Sequence, residues 1–136
     1  MDEKQLQQKY ERLQGLNKHM QTLNKQLSSL EEKSSEIQDI KDALEDLKDC
    51  KVGDEVLVPL NNGIFLKAQI TDLEKLKVNV GSNTVVDKSI ADTKELVQSQ
   101  QNEIESYKTN VMQQMTQIDE QAYSIEKEMK EELKDE

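Results

Sequence analysis

Residues 52–88 read VGDEVLVPLNNGIFLKAQITDLEKLKVNVGSNTVVDK, and this stretch decides the fold. It holds three of the four glycines and the only proline of the chain. Asn62-Gly63 separates two apolar runs and supplies the positive φ that a tight hairpin turn requires. Gly81-Ser82-Asn83 separates two further runs in the same way. The stretch therefore predicts two consecutive β-hairpins, with Pro59 at an edge or a bulge because proline cannot donate to a strand ladder.

These two hairpins are too small to bury a core of their own, and they leave unpaired edges. We therefore expect them to complete their core and their ladder against other subunits. The side chains predicted to form this assembly surface are the inward apolar positions of the strands. They are Val56, Val58, Leu60, Ile64, Leu66, Ile70, Val78, Val80 and Val86.

Two long heptad-like segments of similar length flank the hairpins, and together they contain one glycine and no proline. The apolar positions of the first are Leu6, Tyr10, Leu13, Leu16, Met20, Leu23, Leu27, Leu30, Ile37, Ile40, Leu44 and Leu47. Such positions form the seam, the row of residues through which paired helices contact each other. Ser34 fills the gap in this row between Leu30 and Ile37. The apolar positions of the second are Val97, Ile104, Tyr107, Val111, Met115, Ile118, Ala122, Ile125, Met129 and Leu133, with Gln100 or Gln101 in the gap. This spacing predicts two helices, with stammers near Leu13 and Ile40 and a stutter near Val111. Ser89 and Asp92 have the spacing of a helix N-terminal cap.

The predicted fold is α+β: a long antiparallel coiled-coil hairpin with two β-hairpins between its helices. We assign a single domain over residues 1–136, with helix one over 1–50, the hairpins over 52–88 and helix two over 89–136. Both termini then lie at the free end of the coiled coil. Basic residues in the first helix and acidic residues near the C-terminus favour this antiparallel pairing.

Composition excludes several classes of function. The net charge is −10 and no basic face is visible, so we expect no nucleic-acid partner. No apolar run approaches the ~18 residues of a membrane span, and a single cysteine fits the reducing cytoplasm. One histidine, no cysteine pair and no phosphate-binding loop leave no candidate catalytic residue, metal site or cofactor site. We expect a protein that is not an enzyme.

The order of helix, two hairpins and helix resembles the prefoldin family. The similarity in sequence is confined to residues 54–92. It comprises the VLVP strand with the following Leu60, the strand Ile64-Phe65-Leu66-Lys67-Ala68, the strand end Asn79-Val80-Gly81, and the segment Val86-Asp87-Lys88-Ser89-Ile90-Ala91-Asp92 that leads into the second helix. Two hairpins are typical of the alpha class, since beta-class subunits have one. The resemblance implies a hexamer of two alpha-class and four beta-class subunits that join their strands into β-barrels.

The resemblance also implies a function. Prefoldin holds unfolded client proteins at the ends of coiled-coil arms without ATP and passes them to a group II chaperonin. In this chain the arm end is formed by residues 3–20 and about 118–136. Fraying there would expose apolar seam residues. The residues predicted to contact clients are Leu6, Tyr10, Leu13, Ile125, Met129 and Leu133, with Leu16 and Ile118 as further candidates.

Two other functions are also considered for this sequence. The same fold can serve as a scaffolding subunit of another prefoldin-like complex, with its arms as spacers, and a seam that runs nearly to Leu133 is compatible with that role. A transcription-associated coiled-coil factor with an acidic arm end is less compatible, because such arms carry the helix-to-helix turn at that end. Here the termini are predicted to lie there instead.

Overall fold

The computed structural model describes residues 2–134 and confirms the predicted α+β architecture. Two long helices flank four short strands, with one 3₁₀ turn after the first helix. The elements are α1 (Glu3–Asp46), the 3₁₀ turn (Leu47–Asp49), β1 (Glu55–Asn61), β2 (Ile64–Gln69), β3 (Leu76–Asn79), β4 (Val85–Lys88) and α2 (Ile90–Lys134).

Both helices begin at a side-chain cap. An Asp2 carboxylate oxygen accepts a hydrogen bond from the Gln5 backbone N–H at 2.8 Å. The Ser89 hydroxyl accepts one from the Asp92 N–H at 3.1 Å, which confirms the cap predicted for α2. Each cap satisfies a backbone donor that the first helical turn leaves without a partner.

The described residues fall into two compact units, one formed by the segments up to residue 34 and from residue 103, the other by residues 35–102. In the first unit Leu23, Val111 and Ile118 form a buried core cluster between the two helices. The half-buried side chains packed around it are Leu16, Met20, Leu27, Leu30 and Met115. In the second unit the helical segments bury Leu44 and Val97, and the two hairpins connect these segments. The assignment of the chain to a single domain stays a prediction.

The spacing of the residues in the helix seam is more regular than the positions of the apolar residues in the sequence predicted. From Leu6 to Leu44 in α1 and from Val97 to Glu132 in α2 the less exposed residues recur in steps of three and four, and Gln114 beside Met115 is the one further half-buried residue in these two ranges. In α1 they are Leu6, Lys9, Leu13, Leu16, Met20, Leu23, Leu27, Leu30, Ser34, Ile37, Lys41 and Leu44; in α2 they are Val97, Gln101, Ile104, Lys108, Val111, Met115, Ile118, Ala122, Ile125, Met129 and Glu132. The predicted stammers and stutter are therefore wrong. An unbroken heptad pattern decides the burial, and the apolar residues that do not fit it are left at the surface.

Lysine fills three of these seam positions because its aliphatic stem can be buried while its ammonium group reaches a polar partner. Lys41 Nζ donates to the side-chain oxygens of Gln98 at 2.9 Å and Gln101 at 2.8 Å. Lys9 Nζ lies 2.7 Å from a carboxylate oxygen of Glu128. Of the two glutamines proposed for the gap in α2, Gln101 is the one in the seam. Such polar pairs specify the register of helix pairing at some cost in stability.

The β1–β2 hairpin has the predicted turn. Asn62 and Gly63 have φ values of 34° and 83°, so both central residues adopt the left-handed conformation. The strands pair antiparallel, with Val58 opposite Leu66 and Leu57 opposite Lys67. Pro59 pairs with Phe65, and the register shifts directly after it, so that Leu60 is left without a partner residue, in line with the predicted edge or bulge position of the proline.

The β3–β4 hairpin pairs Val78 with Val86 and Leu76 with Lys88. Its turn has three consecutive residues of positive φ, Gly81 to Asn83. The Asn79 side-chain oxygen accepts a hydrogen bond from the Gly81 N–H at 2.9 Å and so fixes the start of that turn. Lys77 and Asp87 form an ion pair at 2.6 Å on the opposite face from Val78. The first strand of this hairpin alternates as predicted, but the second strand adds Lys88 to the face of Val78 and the exposed Val85 to the face of the ion pair.

Candidate binding surfaces

The six residues predicted to contact clients fall into two groups in the structure. Ile125 is buried, and Leu6, Leu13 and Met129 are half-buried in the helix seam. Tyr10 and Leu133 are exposed, with 56% and 60% of their surface accessible. Only these two present most of their apolar surface to solvent while the helices are paired. Of the further candidates, Leu16 is half-buried and Ile118 is buried.

The exposure of Tyr10 and Leu133 follows from the regular heptad. Lys9 and Glu132 take the neighbouring seam positions, so each apolar side chain is rotated one residue out of the interface. The Lys9 ammonium group donates a hydrogen bond to Glu128, and this contact lowers the pKa of the Glu128 carboxyl below its usual value. The ion pair therefore joins the two helices beside Tyr10 and leaves more than half of the tyrosine exposed.

Two further exposed apolar residues in this unit were missed by the sequence reasoning. Tyr123 is 67% exposed and lies beside Glu126, Lys127 and Lys130 on the outer side of α2. Met112 is 54% exposed and follows the seam residue Val111. Each is a single apolar residue that directly follows a seam residue, so its exposure depends on the register of the helix pair and not on a periodic pattern of its own.

A shallow apolar groove lies further along the same unit. It is lined by Gln26, Ser29 and Leu30 of α1 and by Tyr107 and Val111 of α2. Tyr107 is exposed because Lys108 takes the seam position, although the sequence had placed Tyr107 in the seam. The groove gives the paired helices a second apolar surface, separate from the one around Tyr10.

The residues predicted for subunit assembly lie in the strands or, for Ile70 and Val80, one residue beyond β2 and β3. Many of them are solvent-accessible in this chain, and their role in assembly stays a prediction. Val58, Leu60, Ile64, Leu66 and Val80 are exposed. The remaining four, Val56, Ile70, Val78 and Val86, are half-buried.

The first hairpin also has a second apolar face that the prediction left out. Leu57 and Phe65 are exposed and belong to the face opposite Val58 and Leu66. The continuous apolar run Val56-Leu57-Val58-Pro59-Leu60 was the signal for it, since strands covered on both faces lack polar alternation.

A small ion-pair network joins the two helices in the second unit. Glu45 accepts from Lys94 across the helix pair at 2.7 Å and from Lys48 at 2.8 Å. Hydrogen bonds from Lys48 first, and then from Lys94, lower the pKa of Glu45 to about 2. Because these side chains are well exposed, solvent screens the contact and its contribution to stability is small.

Within residues 2–134, neither helix combines the length and the apolar character that a membrane crossing requires.

Comparison with known proteins identifies the class. The family described as Prefoldin subunit matches residues 16–135. The alpha subunit of prefoldin from Thermofilum pendens is 36% identical over 52 residues, which are 38% of this chain and 40% of that protein. This chain thus aligns with well under half the length of that relative. A cryo-EM structure of filamentous PFD from Methanocaldococcus jannaschii superposes with a TM-score of 0.76 at 15% identity, covering 85% of this chain and 95% of that one.

The chain therefore belongs to the prefoldin family. The two hairpins, together with the likeness to the Thermofilum alpha subunit, confirm the predicted alpha class.

Proposed function

We propose that this chain is a subunit of a hexameric, ATP-independent holdase in the cytoplasm. Two copies would join four beta-class subunits through their hairpins. The coiled-coil arms would then hold unfolded proteins and deliver them to a group II chaperonin. Membership of the prefoldin family supports this role, and so do two kinds of exposed apolar surface, one on the hairpins and one on the paired helices.

The observation that carries the proposal is the exposure of Tyr10, Tyr123 and Leu133 in the segments near the two termini. Their neighbours in the seam, Ile125 and Met129, are buried or half-buried, so the helix pair can persist while these side chains bind. Capture of a client then requires no unwinding of the arm. This modifies the fraying hypothesis, in which seam residues had to be released before binding.

Contacts of this kind are individually weak because three separated side chains bury little area. Several arms that hold one client at once add their contributions through high effective concentration. Loss of a few contacts, or competition by a downstream chaperonin, is then enough for release. ATP hydrolysis is not needed in such a cycle.

Assembly is the second part of the proposal. The exposed apolar residues on both faces of β1 and β2 cannot be covered by that hairpin alone, and each two-stranded sheet has unpaired edges. Strands from beta-class subunits would pair with these edges and cover both faces. The predicted assembly residues and the additional Leu57 and Phe65 would then lie inside the joined body.

The proposal is tested with the chain assembled with a beta-class partner and a denatured protein diluted into buffer without ATP. Light scattering reports aggregation, and mass photometry reports the size of the assembly. The variant Tyr10→Ser/Tyr123→Ser/Leu133→Ser is expected to form the hexamer but to suppress aggregation poorly. The control Ile40→Ser removes an exposed apolar group that lies outside these segments, and it is expected to suppress aggregation as the unmodified assembly does. If the triple variant suppresses aggregation fully as a hexamer, these side chains do not hold clients.

A scaffolding role is the second candidate, favoured by the regular seam that continues to Met129 and Glu132. A chain whose arms are paired to the end is well suited to act as a spacer. In the same experiment, a hexamer that forms but never suppresses aggregation would favour this role over the holdase.

A further inference from the structure

The exposed apolar residues of the first unit are concentrated on one flank of the helix pair. Each heptad has two seam residues, the second of which follows the first by three positions. The e flank is defined here as the position directly after the second seam residue. The g flank is the position directly before the first seam residue. Tyr10, Met112 and Leu133 occupy the e flank. All three are more than half exposed, and Tyr123 lies on the adjoining outer side of α2. Among the described residues of this unit, Tyr107 is the one exposed apolar residue on the g flank.

The two flanks also differ in charge. Every ionisable residue on the e flank of this unit is acidic. They are Glu3, Glu31, Glu105, Asp119 and Glu126. The g flank is mostly uncharged and otherwise mixed. It carries Gln5, Arg12, His19, Gln26, Lys33, Tyr107, Gln114, Gln121 and Glu128.

The acidic groups of the e flank are poorly neutralised by this chain. Glu105 lies 3.7 Å from Lys108 and accepts a weak hydrogen bond from Ser34 at 3.4 Å. Among the described residues, none of the other four carboxylates forms an ion pair, although Lys127 and Lys130 lie near Glu126 around Tyr123. On the g flank, by contrast, Glu128 is paired with Lys9 at 2.7 Å.

We propose that the e flank binds cationic amphipathic segments, that is, stretches of non-native protein that combine apolar side chains with lysine or arginine. This inference rests on the proposed holdase function and adds the class of client. The apolar side chains of such a segment contact Tyr10, Met112 and Leu133, while its basic groups meet carboxylates that lack a partner. Segments that combine apolar with acidic side chains are repelled from the same surface.

The charge contribution is expected to depend on salt, because all these carboxylates are exposed to solvent. Exposed charge pairs are individually weak, so only a row of them discriminates between clients. The apolar contribution is insensitive to salt. Measurements at two salt concentrations therefore separate the two contributions.

The test uses three labelled peptides with identical apolar residues and with lysine, glutamine or glutamate at the remaining positions. Binding to the chain in its assembly is followed by fluorescence anisotropy at about 0.05 M and about 0.5 M salt. The lysine peptide is expected to bind roughly tenfold more tightly than the glutamine peptide at low salt, and about equally at high salt. The glutamate peptide is expected to bind most weakly.

A matched pair of variants assigns the effect to the flank. Glu31→Gln/Asp119→Asn/Glu126→Gln removes three charges from the e flank. Glu11→Gln/Glu32→Gln/Glu103→Gln removes three exposed charges from outer positions of the same helices. The first variant is expected to abolish the preference for the lysine peptide, and the second to retain most of it.

The outcomes separate the two proposals. If the three peptides bind equally well, the chain still holds apolar segments but the client class is wrong. If both variants reduce the preference equally, net charge and not the e flank selects the client, and the inference fails. If no peptide binds at all, the holdase function fails, and this inference fails with it.

Discussion

Apolar side chains are buried in the helix seam and exposed on the first β-hairpin. In the seam, Leu23 is 2% exposed and Val97 is 5% exposed. On the first hairpin, Leu57 is 61% exposed and Ile64 is 60% exposed. The helices find partners for their apolar side chains within the chain, because each seam has a second seam to face. Among the described residues, neither two-stranded sheet covers the apolar faces of the other, so these side chains stay exposed in this chain and are available for the proposed assembly.

This difference in burial indicates that substitutions in one region leave the property that depends on the other region unchanged. A change in the seam should act on the stability of the folded chain. A change on the hairpins should act on association and leave helix content almost unchanged. Substitutions in the two regions test this separation.

The largest effect is expected from Leu57→Ser/Phe65→Ser on the second face of the first hairpin. Each buried side chain of this size contributes about 1.5–3 kcal/mol, so their joint loss weakens association by roughly 10²- to 10⁴-fold if both are covered in the assembly. Mass photometry with a beta-class partner should show dissociated subunits, while circular dichroism shows unchanged helix content. Lys67→Ser on the same face is the control and should assemble normally. Full-size assemblies of the double variant would place this face outside the interface.

The next effect is expected from Leu23→Ala in the core cluster with Val111 and Ile118. Truncation of a fully buried leucine costs about 2–5 kcal/mol, because it removes buried apolar surface and leaves a cavity. Leu133→Ala removes the same atoms from an exposed position and should cost less than about 0.5 kcal/mol. Chemical unfolding followed by circular dichroism measures both. Equal losses for the two variants would contradict the seam described here.

A smaller effect of opposite sign is expected at Lys41, where the regular seam differs from the predicted stammer. Lys41→Leu should stabilise the helix pair by about 1 kcal/mol, since a polar seam residue costs stability, and should loosen the register that Gln98 and Gln101 specify. Ile40→Ala, at an exposed neighbouring position, should change stability by less than about 0.5 kcal/mol. Thermal unfolding of both variants tests the assignment. A destabilised Ile40→Ala protein combined with an unimproved Lys41→Leu protein would instead support a stammer.

Lys41 also illustrates which features of the fold could be predicted from the sequence and which could not. Element order, both hairpin turns, the Pro59 bulge and the α2 cap were predictable, because each depends on a few local residues with one dominant preference. The exact seam was not, because a lysine and an isoleucine at adjacent positions compete, and cooperative pairing along the whole helix decides between them. Choosing seam positions by hydrophobicity alone placed Tyr107 inside and overlooked Lys108.

The candidate binding residues were predictable to a lesser extent for the same reason. Tyr10 and Leu133 were selected as seam residues released by fraying, yet they are exposed because they lie outside the seam. Tyr123 and Met112 were overlooked because a single apolar residue on a polar helix face carries no periodic signal. Leu57 and Phe65 were overlooked because strand alternation was assumed where the apolar run is continuous. Surface selection therefore needed the register, which only the three-dimensional pairing supplies.

The smallest effect is expected from acid at the ion-pair network around Glu45. Its carboxyl has a pKa of about 2 in the folded chain and an ordinary value of 4.5, so the unfolded chain binds the proton more readily. The stabilisation is fully present above pH 4.5 and is lost as the pH falls toward 2. Glu45→Gln should therefore slightly destabilise the protein at pH 7 and no longer do so near pH 2, measured by urea unfolding at each pH. Glu36→Gln, which removes a carboxylate without an ion pair among the described residues, should lack this pH-dependent difference. If the difference between Glu45→Gln and the unmodified protein stays constant across this range, the seam residues of the second unit hold its helices without help from Lys94 and Lys48.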